Sequence, residues 1–451
     1  MDDMTHRPEA PQLKRVLGVF ACTMLVVGNM IGVGIFTTPG RIAAMLPSSG
    51  LVLTAWILGA LLALAGALSY AELGAMYPEA GGNYVFLRQA YGPFCGFLYG
   101  WTAALMTQSG TVAILAVGFT KYAGINDPRT IQLTAAGMIL VFGALNYVGV
   151  QVGSGIVSAI TALKIFAILG FAAAAILFGH GSFAHAAPAW PAAGTVWSVT
   201  AFLSALIPIM YTYSGWNATV YVGGEVSRPE RTIPLSLLAG VLLTAVLYLL
   251  LNVIYIYAVP VTTMAGEIAA AKVAAGSLFE PRAAQAVTLF IAFSVLGCLN
   301  ATLLTAPRIP FAMARDGQFL PMFGRIHPRF KTPGMAIALV TGWAVVLALW
   351  GGIDQKHFYR LLDDYVTVPS LLLNALTVSA LFVLRRRAAN VPRPYRAWGY
   401  PVLPLAFIAM VLFMVGHEFH QDPRGSIAGL VMVAVSLPFY FIFRRKKESL
   451  G

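Results

Sequence analysis

Two short runs put unusual residue types in the middle of apolar stretches. The first is Gly28-Asn29-Met30-Ile31-Gly32-Val33-Gly34-Ile35-Phe36. Each glycine in a helix interior costs about 1 kcal/mol relative to alanine, so three glycines and an asparagine this close together predict an interrupted helix. Inside a bilayer, opened backbone is tolerated only where protein or a cavity satisfies it. The second half of such a helix aims free N–H groups at an anion such as a carboxylate. Close helix packing through small residues is the plainer reading of the same glycines. The second run is Pro208-Ile209-Met210-Tyr211-Thr212-Tyr213-Ser214-Gly215-Trp216-Asn217. Carbonyls freed at the end of its first half-helix suit an ammonium group. Packing with interfacial aromatics is the alternative, but the run lies deep in its span. Donors from one break and acceptors from the other together suit a zwitterion.

A third residue stands apart. Lys164, within Ser158-Ala159-Ile160-Thr161-Ala162-Leu163-Lys164-Ile165-Phe166, is far from any span end. A charge embedded in a membrane is a functional-site hypothesis by default, with snorkelling to one face as the bland alternative. A central amine there can bridge helices where a cation would otherwise sit.

The elements that carry these runs are membrane spans. The chain has 451 residues, of which 59% are hydrophobic and only 10% are Asp, Glu, Lys or Arg, against roughly 25% charged in soluble domains. Its mean hydropathy is +0.78. Runs near or above the ~20 residues needed to cross hydrocarbon recur along it. Twelve helices are expected, over 16–40, 51–76, 84–120, 131–147, 152–178, 197–224, 234–258, 284–311, 334–351, 363–384, 401–418 and 426–443. With the N-terminus inside, twenty of the 29 Lys and Arg residues fall on the inner side, eight on the outer side, and Lys164 within a span. That bias places both termini in the cytoplasm. The net charge of +12 is spread between spans, so it fits an anionic lipid face rather than nucleic acid. The N-terminal segment lacks a signal-peptide pattern.

The breaks fall in the first and sixth spans, the corresponding positions of two five-helix halves. Such a pair is the best sequence pointer to an inverted-repeat transporter site. The expected layout is a tail over 1–15, a first repeat over 16–178, a second over 197–384, peripheral helices over 401–443 and a tail over 444–451. The fold class is therefore an all-α polytopic membrane protein with a 5+5 inverted repeat and broken helices 1 and 6.

With these runs on the page, the chain resembles the amino acid–polyamine–organocation permeases, and within them the L-type amino acid transporter-like branch. Further marks of the resemblance are Glu225 with Pro229, Ala314-Arg315-Asp316-Gly317, and Arg393-Pro394-Tyr395-Arg396 through Gly399-Tyr400-Pro401. The resemblance covers nearly the whole chain. It implies alternating access around a central amino acid site. Ile31, Gly32, Val33 and Gly34 would receive the substrate carboxylate through backbone N–H groups, and Met210, Tyr211, Thr212 and Tyr213 the amine. Tyr211 stands at an aromatic gate position that is often phenylalanine in relatives, with Trp216 and Asn217 beside the opened segment. In sodium-independent relatives a lysine at the place of Lys164 substitutes for sodium, so Lys164 is expected to contact Gly28 and Ser294 and no sodium dependence is expected. Two couplings stay open. Burial disfavours a charged amine, so proton exchange at Lys164 would give symport, whereas a permanently charged Lys164 would give amino acid exchange. The resemblance favours exchange, in a bacterial inner membrane.

Glu72, Glu79 and Glu225 are candidate cytoplasmic gate groups, with Arg88, Arg228 and Arg315 as partners. His417, Glu418 and His420 resemble a metal site only superficially. No cofactor or metal is expected, and no enzyme or nucleotide-driven pump, because neither His-Glu-x-x-His nor a phosphate-binding glycine loop is present. A channel lacks an evident filter repeat, and a non-transporting sensor lacks a signalling domain. Animal light-chain relatives join a partner through an outer cysteine between helices 3 and 4. The segment Lys121 to Thr134 has none, so no covalent accessory subunit is expected. The central runs hold no acidic residue to pair with a cationic side chain, which points to neutral amino acids.

Overall fold

Proline, glycine and short capping side chains set where the helices begin and end. The computed structural model describes residues 12–191, 198–267, 269–279, 281–353 and 355–448. Helices make up the fold, and the only strand-like pairings among the described residues are two isolated bridges, Leu17 with Val226 and Ala80 with Val222.

The first break is where the sequence puts it. α1 (Val19–Met30) and α2 (Gly34–Met45) meet at a bend of 45°. α3 (Ser49–Met76) follows. The expected third span is in fact two helices, α4 (Asn83–Tyr91) and α5 (Pro93–Tyr122), because Gly92 adopts φ +90° and Pro93 has no N–H to continue the ladder. A π-turn at Ala103–Thr107 interrupts α5. α6 (Pro128–Val148) starts on Asp127, whose carboxylate accepts from the Thr130 hydroxyl at 2.7 Å and the Thr130 N–H at 2.8 Å. Those two bonds hold the Asp127 carboxyl below its ordinary range. α7 (Val150–Phe178) carries Lys164.

α8 (Val199–Thr212) ends well short of the expected 197–224. Turns over 213–217, a helical turn at Ala218–Tyr221 and a 3-10 turn at Gly223–Glu225 replace its second half. Then come α9 (Pro229–Ala258), the short loop helix α10 (Ala270–Leu278) and α11 (Pro281–Thr305). Pro307 separates α11 from α12 (Arg308–Arg315). α13 (Gly334–Ile353), α14 (Gln355–Arg387), α15 (Val402–Gln421), α16 (Pro423–Ala434) and α17 (Leu437–Glu448) complete the chain.

Among the described residues, ten helices are long and apolar enough to span a membrane; the bent α1–α2 pair adds an eleventh, and α8 is a shorter apolar helix. The chain is a multi-pass membrane protein. Of the expected tails, residues 1–11 and 449–451 lie outside the described residues. α1 packs against α7, α9 and α11. Those three helices flank the first break, and α8 packs against α2 on its far side.

Candidate functional site

The two breaks face each other across a single seam. Gly215 adopts φ +95°, a left-handed conformation open to glycine, and a Cβ there would lie 2.9 Å from Asn29 Nδ2 and 3.0 Å from the Asn29 carbonyl. Asn29 Nδ2 donates to Gly215 O at 3.1 Å, while Thr302 Oγ1 donates to Asn29 Oδ1 at 3.3 Å. One asparagine thus ties α1 to the turn after α8 and to α11. A Cβ on Gly34 would sit 2.8 Å from Thr212 Oγ1. Thr38 and Thr212 share a hydroxyl–hydroxyl bond of 2.9 Å. From α9, the Tyr248 hydroxyl lies 2.7 Å from Met30 O and 3.1 Å from Thr212 O, bridging both unwound segments.

Behind α1, Lys164 is fully buried. Its Nζ donates to Ile31 O at 2.7 Å and to Gly28 O at 3.2 Å, and lies 3.8 Å from Cys298 Sγ. Ser294 Oγ donates to the same Ile31 carbonyl at 3.1 Å. The Cys298 thiol reaches Gly28 O at 3.1 Å and Ile31 O at 3.3 Å. Carbonyls released where α1 stops are therefore held by an ammonium, a hydroxyl and a thiol from two other helices. These groups answer the need for internal satisfaction of opened backbone in a membrane.

A cavity of about 1190 Å3 lies on the other side of the breaks. Its wall includes Asn29, Gly32, Val33 and Gly34 from the first break and Tyr211, Thr212, Gly215 and Asn217 from the second. Thr102, Thr107, Gln108, Ser370 and Asn374 face them from α5 and α14. The cavity continues past Arg41 and Met45 to His417, Glu418 and Gln421 at one end of the bundle. It exceeds the roughly 300–1,000 Å3 of ordinary ligand pockets, as an open vestibule would.

Several sequence expectations need correction against this geometry. The Ile31 N–H donates to Val27 O at 2.9 Å, because the α1 ladder runs one residue past Met30. Ile31 is buried off the cavity, and its carbonyl serves Lys164 instead. The Gly32 N–H turns back to Met30 O at 2.9 Å. In the second run, Met210 and Tyr213 are buried away from the cavity, and Tyr213 packs on Trp56 and Tyr248. The Tyr211 carbonyl accepts the Ser214 N–H at 3.1 Å. Trp216 is no gate here: it is buried edge-on between Tyr70 and Phe407. Tyr211 lines the cavity and is 38% exposed.

The gate charges also pair differently. Glu225 binds Arg308 in a two-pronged bridge, Nε to Oε2 at 2.9 Å and Nη2 to Oε1 at 2.8 Å, with both side chains fully buried. Arg308 opens α12 directly after Pro307 and points inward, while Arg315, at the other end of the same helix, is exposed and takes part in none of these pairs. Glu72 accepts from Arg385 Nε at 2.9 Å and Nη2 at 2.5 Å and from the Ala397 N–H at 2.7 Å. Arg88 pairs with Glu79 at 3.1 Å and closely with Asp316. The N–H groups of Val16 and Leu17 both donate to Glu225 O at 2.9 Å. These contacts close the end of the bundle away from the cavity mouth. Removing one partner of a buried pair costs about 3–5 kcal/mol. Glu225→Gln should therefore lower thermal stability in detergent by about that amount, and an unchanged melting temperature would contradict the buried pairing.

The comparisons with known proteins decide the family. A family model described as amino acid permease matches residues 17–442. The chain belongs to the amino acid permease family. This permease is 29% identical to the serine/threonine exchanger SteT of Bacillus subtilis, over 97% of its own length and 98% of the relative's. It is 28% identical to the human b(0,+)-type amino acid transporter 1, over 97% and 90% of the two chains, and 28% identical to the human cystine/glutamate transporter, over 96% and 86%. The relatives are transporters rather than enzymes. The permease's cysteines Cys22, Cys95 and Cys298 are free thiols, and no three His, Cys, Asp or Glu side chains gather as a metal site among the described residues.

Sequence reasoning overlooked Asn29 as a tie between the breaks, and gave Tyr248, Cys298 and Arg308 no part in the site. Asn29 was visible inside the first run. Arg308, an arginine straight after Pro307 at the foot of an apolar stretch, carried a signal as well. Tyr248 is one aromatic in a long apolar helix, and nothing local marks it.

Proposed function

We propose that this permease exchanges neutral amino acids across the bacterial inner membrane by alternating access, without sodium. The observation that carries the reading is Lys164, whose ammonium sits among the Gly28 and Ile31 carbonyls with Ser294 and Cys298 beside it. A fixed positive charge there does the work of a bound cation, holding α7 and α11 against the opened backbone of α1. Transport then needs no sodium ion to complete the site.

Twelve spans follow if α8 and the turns after it count as the sixth. The layout is then a first repeat over 16–178, a second over 197–384, peripheral helices over 401–443, and both termini in the cytoplasm. The ion pairs of Glu225, Glu72 and Arg88 lie at the cytoplasmic end, and the cavity mouth at Arg41 and Gln421 faces outward. On this reading the substrate carboxylate approaches the backbone of Val33 and Gly34, over the open face left by Gly32. Its amine approaches the Tyr211–Thr212 end of α8. Tyr211 closes over it. Tyr211→Ala should raise the apparent KM for uptake on the order of tenfold through lost aromatic burial, whereas Tyr211→Phe should stay close to the parent. Equal KM values for all three would remove Tyr211 from the gate.

Selectivity follows from the wall chemistry. Around the breaks the cavity offers hydroxyls and amides from Thr102, Thr107, Gln108, Asn217, Ser370 and Asn374, and its charged residues Arg41 and Glu418 stand at the mouth. A neutral polar side chain meets partners there; a full charge meets none. The name of the Bacillus relative, a serine/threonine exchanger, agrees with this chemistry. The test is competition against labelled serine uptake in sodium-free buffer. Serine, threonine and alanine should compete at concentrations where lysine and glutamate do not. Equal competition by lysine or glutamate would overturn the neutral assignment.

A further inference from the structure

α5 changes the face it shows to the cavity partway along its length. Up to the π-turn, Tyr99, Thr102 and Ala103 line the cavity; after it, Thr107, Gln108 and Thr111 do. A regular α-helix turns about 100° per residue. Continued unbroken, the first face would carry Met106 and Gly110, neither of which lines the cavity, and Gln108 would stand on the opposite side. The π-turn holds one residue more than an α-turn, and the Gln108 N–H accordingly donates to Ala103 O, five residues back. That extra residue rotates the rest of α5 by about 100°. Thr107 and Thr111 take the places of Met106 and Gly110, and the Gln108 amide swings to the cavity edge. There it stands by the Tyr221 hydroxyl, which accepts from Asn217 Nδ2 at 3.2 Å and lies 2.7 Å from the Tyr99 hydroxyl. A π-turn opens carbonyls that need partners inside a bilayer. Ser109 Oγ donates to Ala104 O at 2.6 Å from within α5. From α13, Trp343 Nε1 donates to Leu105 O at 2.6 Å. Trp343 is 40% exposed and is no part of the cavity wall.

We infer that Gln108 reads the substrate's side chain, taking the hydroxyl of serine or threonine in preference to a methyl group, and that Trp343 is the positioning residue that keeps it there through the π-turn. The inference rests on the neutral amino acid exchange proposed above and names what selects within that class. An amide carries a donor and an acceptor, as a hydroxyl does, so the two can pair either way. A site built around a substrate hydroxyl rejects the analogue that lacks it, because its own polar groups then go unpaired. Trp343 acts on this choice without touching the substrate. Without the indole N–H, the Leu105 carbonyl loses its partner at the outside of the bundle. The π-turn then loses its advantage over the regular register, in which Met106 meets the substrate and Gln108 turns away.

Two measurements on the full-length protein test the two halves. The first is competition by serine and alanine against labelled serine uptake in liposomes. The parent should favour serine over alanine by roughly two- to tenfold. Gln108→Leu and Trp343→Phe should both bring the two competitors towards equality, while alanine's own affinity changes little. Equal competition in the parent, or the parent ratio in Gln108→Leu, would overturn Gln108 as the reader. An indole that only fills space would slow every substrate alike in Trp343→Phe, and an unchanged ratio there would overturn the positioning role. Failure of the neutral reading looks different, because lysine or glutamate would then compete. The second measurement reads the register of α5 without transport. Met106→Cys and Gln108→Cys are treated in detergent with a charged methanethiosulfonate, and label is located by mass spectrometry, which reads Cys298 separately. In the otherwise unchanged protein Gln108→Cys should react and Met106→Cys should not. Adding Trp343→Phe should reverse that order. The same order with and without Trp343→Phe would show the π-turn standing unaided and overturn the pin.

Discussion

Lys164→Ala should lower the initial rate of amino acid uptake at least roughly tenfold while leaving the protein folded. The Lys164 ammonium is the strongest donor to the Gly28 and Ile31 carbonyls, at 3.2 and 2.7 Å. A buried acceptor left short of a partner costs about 1–3 kcal/mol. Ser294 and Cys298 still reach the same carbonyls, so part of that cost is offset and α1 keeps its place on α7, α9 and α11. What is lost is the charge that fixes the opened segment between α1 and α2. Lys164→Met separates charge from volume. It keeps the packed stem and should lose as much transport as the alanine variant. Uptake at the parent rate in Lys164→Met, with matched protein in the liposomes, would mean that the ammonium only fills space.

Gly32→Phe should abolish substrate binding, with affinity weakened by on the order of a hundredfold or more, whereas Gly32→Ala should remain within a few-fold of the parent. The contrast comes from what surrounds this glycine. A Cβ at Gly32 meets only Cys298 Sγ, at 3.4 Å, so a methyl group fits. A phenyl ring continues into the cavity between the two breaks, where the proposed function brings the substrate carboxylate. Melting temperatures of the two variants should be similar, since Gly32 lines open space. Parent-like affinity in Gly32→Phe would move the carboxylate away from this backbone.

Much of this account was legible in the sequence, and the reasons are local. Gly28, Gly32 and Gly34 interrupt an apolar run, and such an interruption has few outcomes inside hydrocarbon. Lys164 stood out because a buried ammonium needs acceptors, and a nearby broken helix supplies them. What stayed hidden depends on contacts between helices distant in the chain. Glu225 pairs with Arg308 rather than Arg315 because Pro307 reorients one turn, and residue spacing does not encode that direction. Glu72 finds Arg385 across more than three hundred residues. Ile31 contributes its carbonyl rather than its N–H because α1 closes one residue later than the glycine pattern implied. Trp216 reads as a gate beside Gly215, yet Tyr70 and Phe407 hold it in the core. Motifs locate an unwound segment, and only tertiary packing decides which of its atoms face the cavity.

The central claim, exchange around a fixed lysine charge, is tested most directly by uptake of labelled serine into sodium-free proteoliposomes. Liposomes loaded with unlabelled amino acid are compared with empty ones, each with and without an inward proton gradient. The account predicts uptake that requires internal amino acid and ignores the gradient. Uptake into empty liposomes driven by the proton gradient would contradict it and make Lys164 a proton carrier instead.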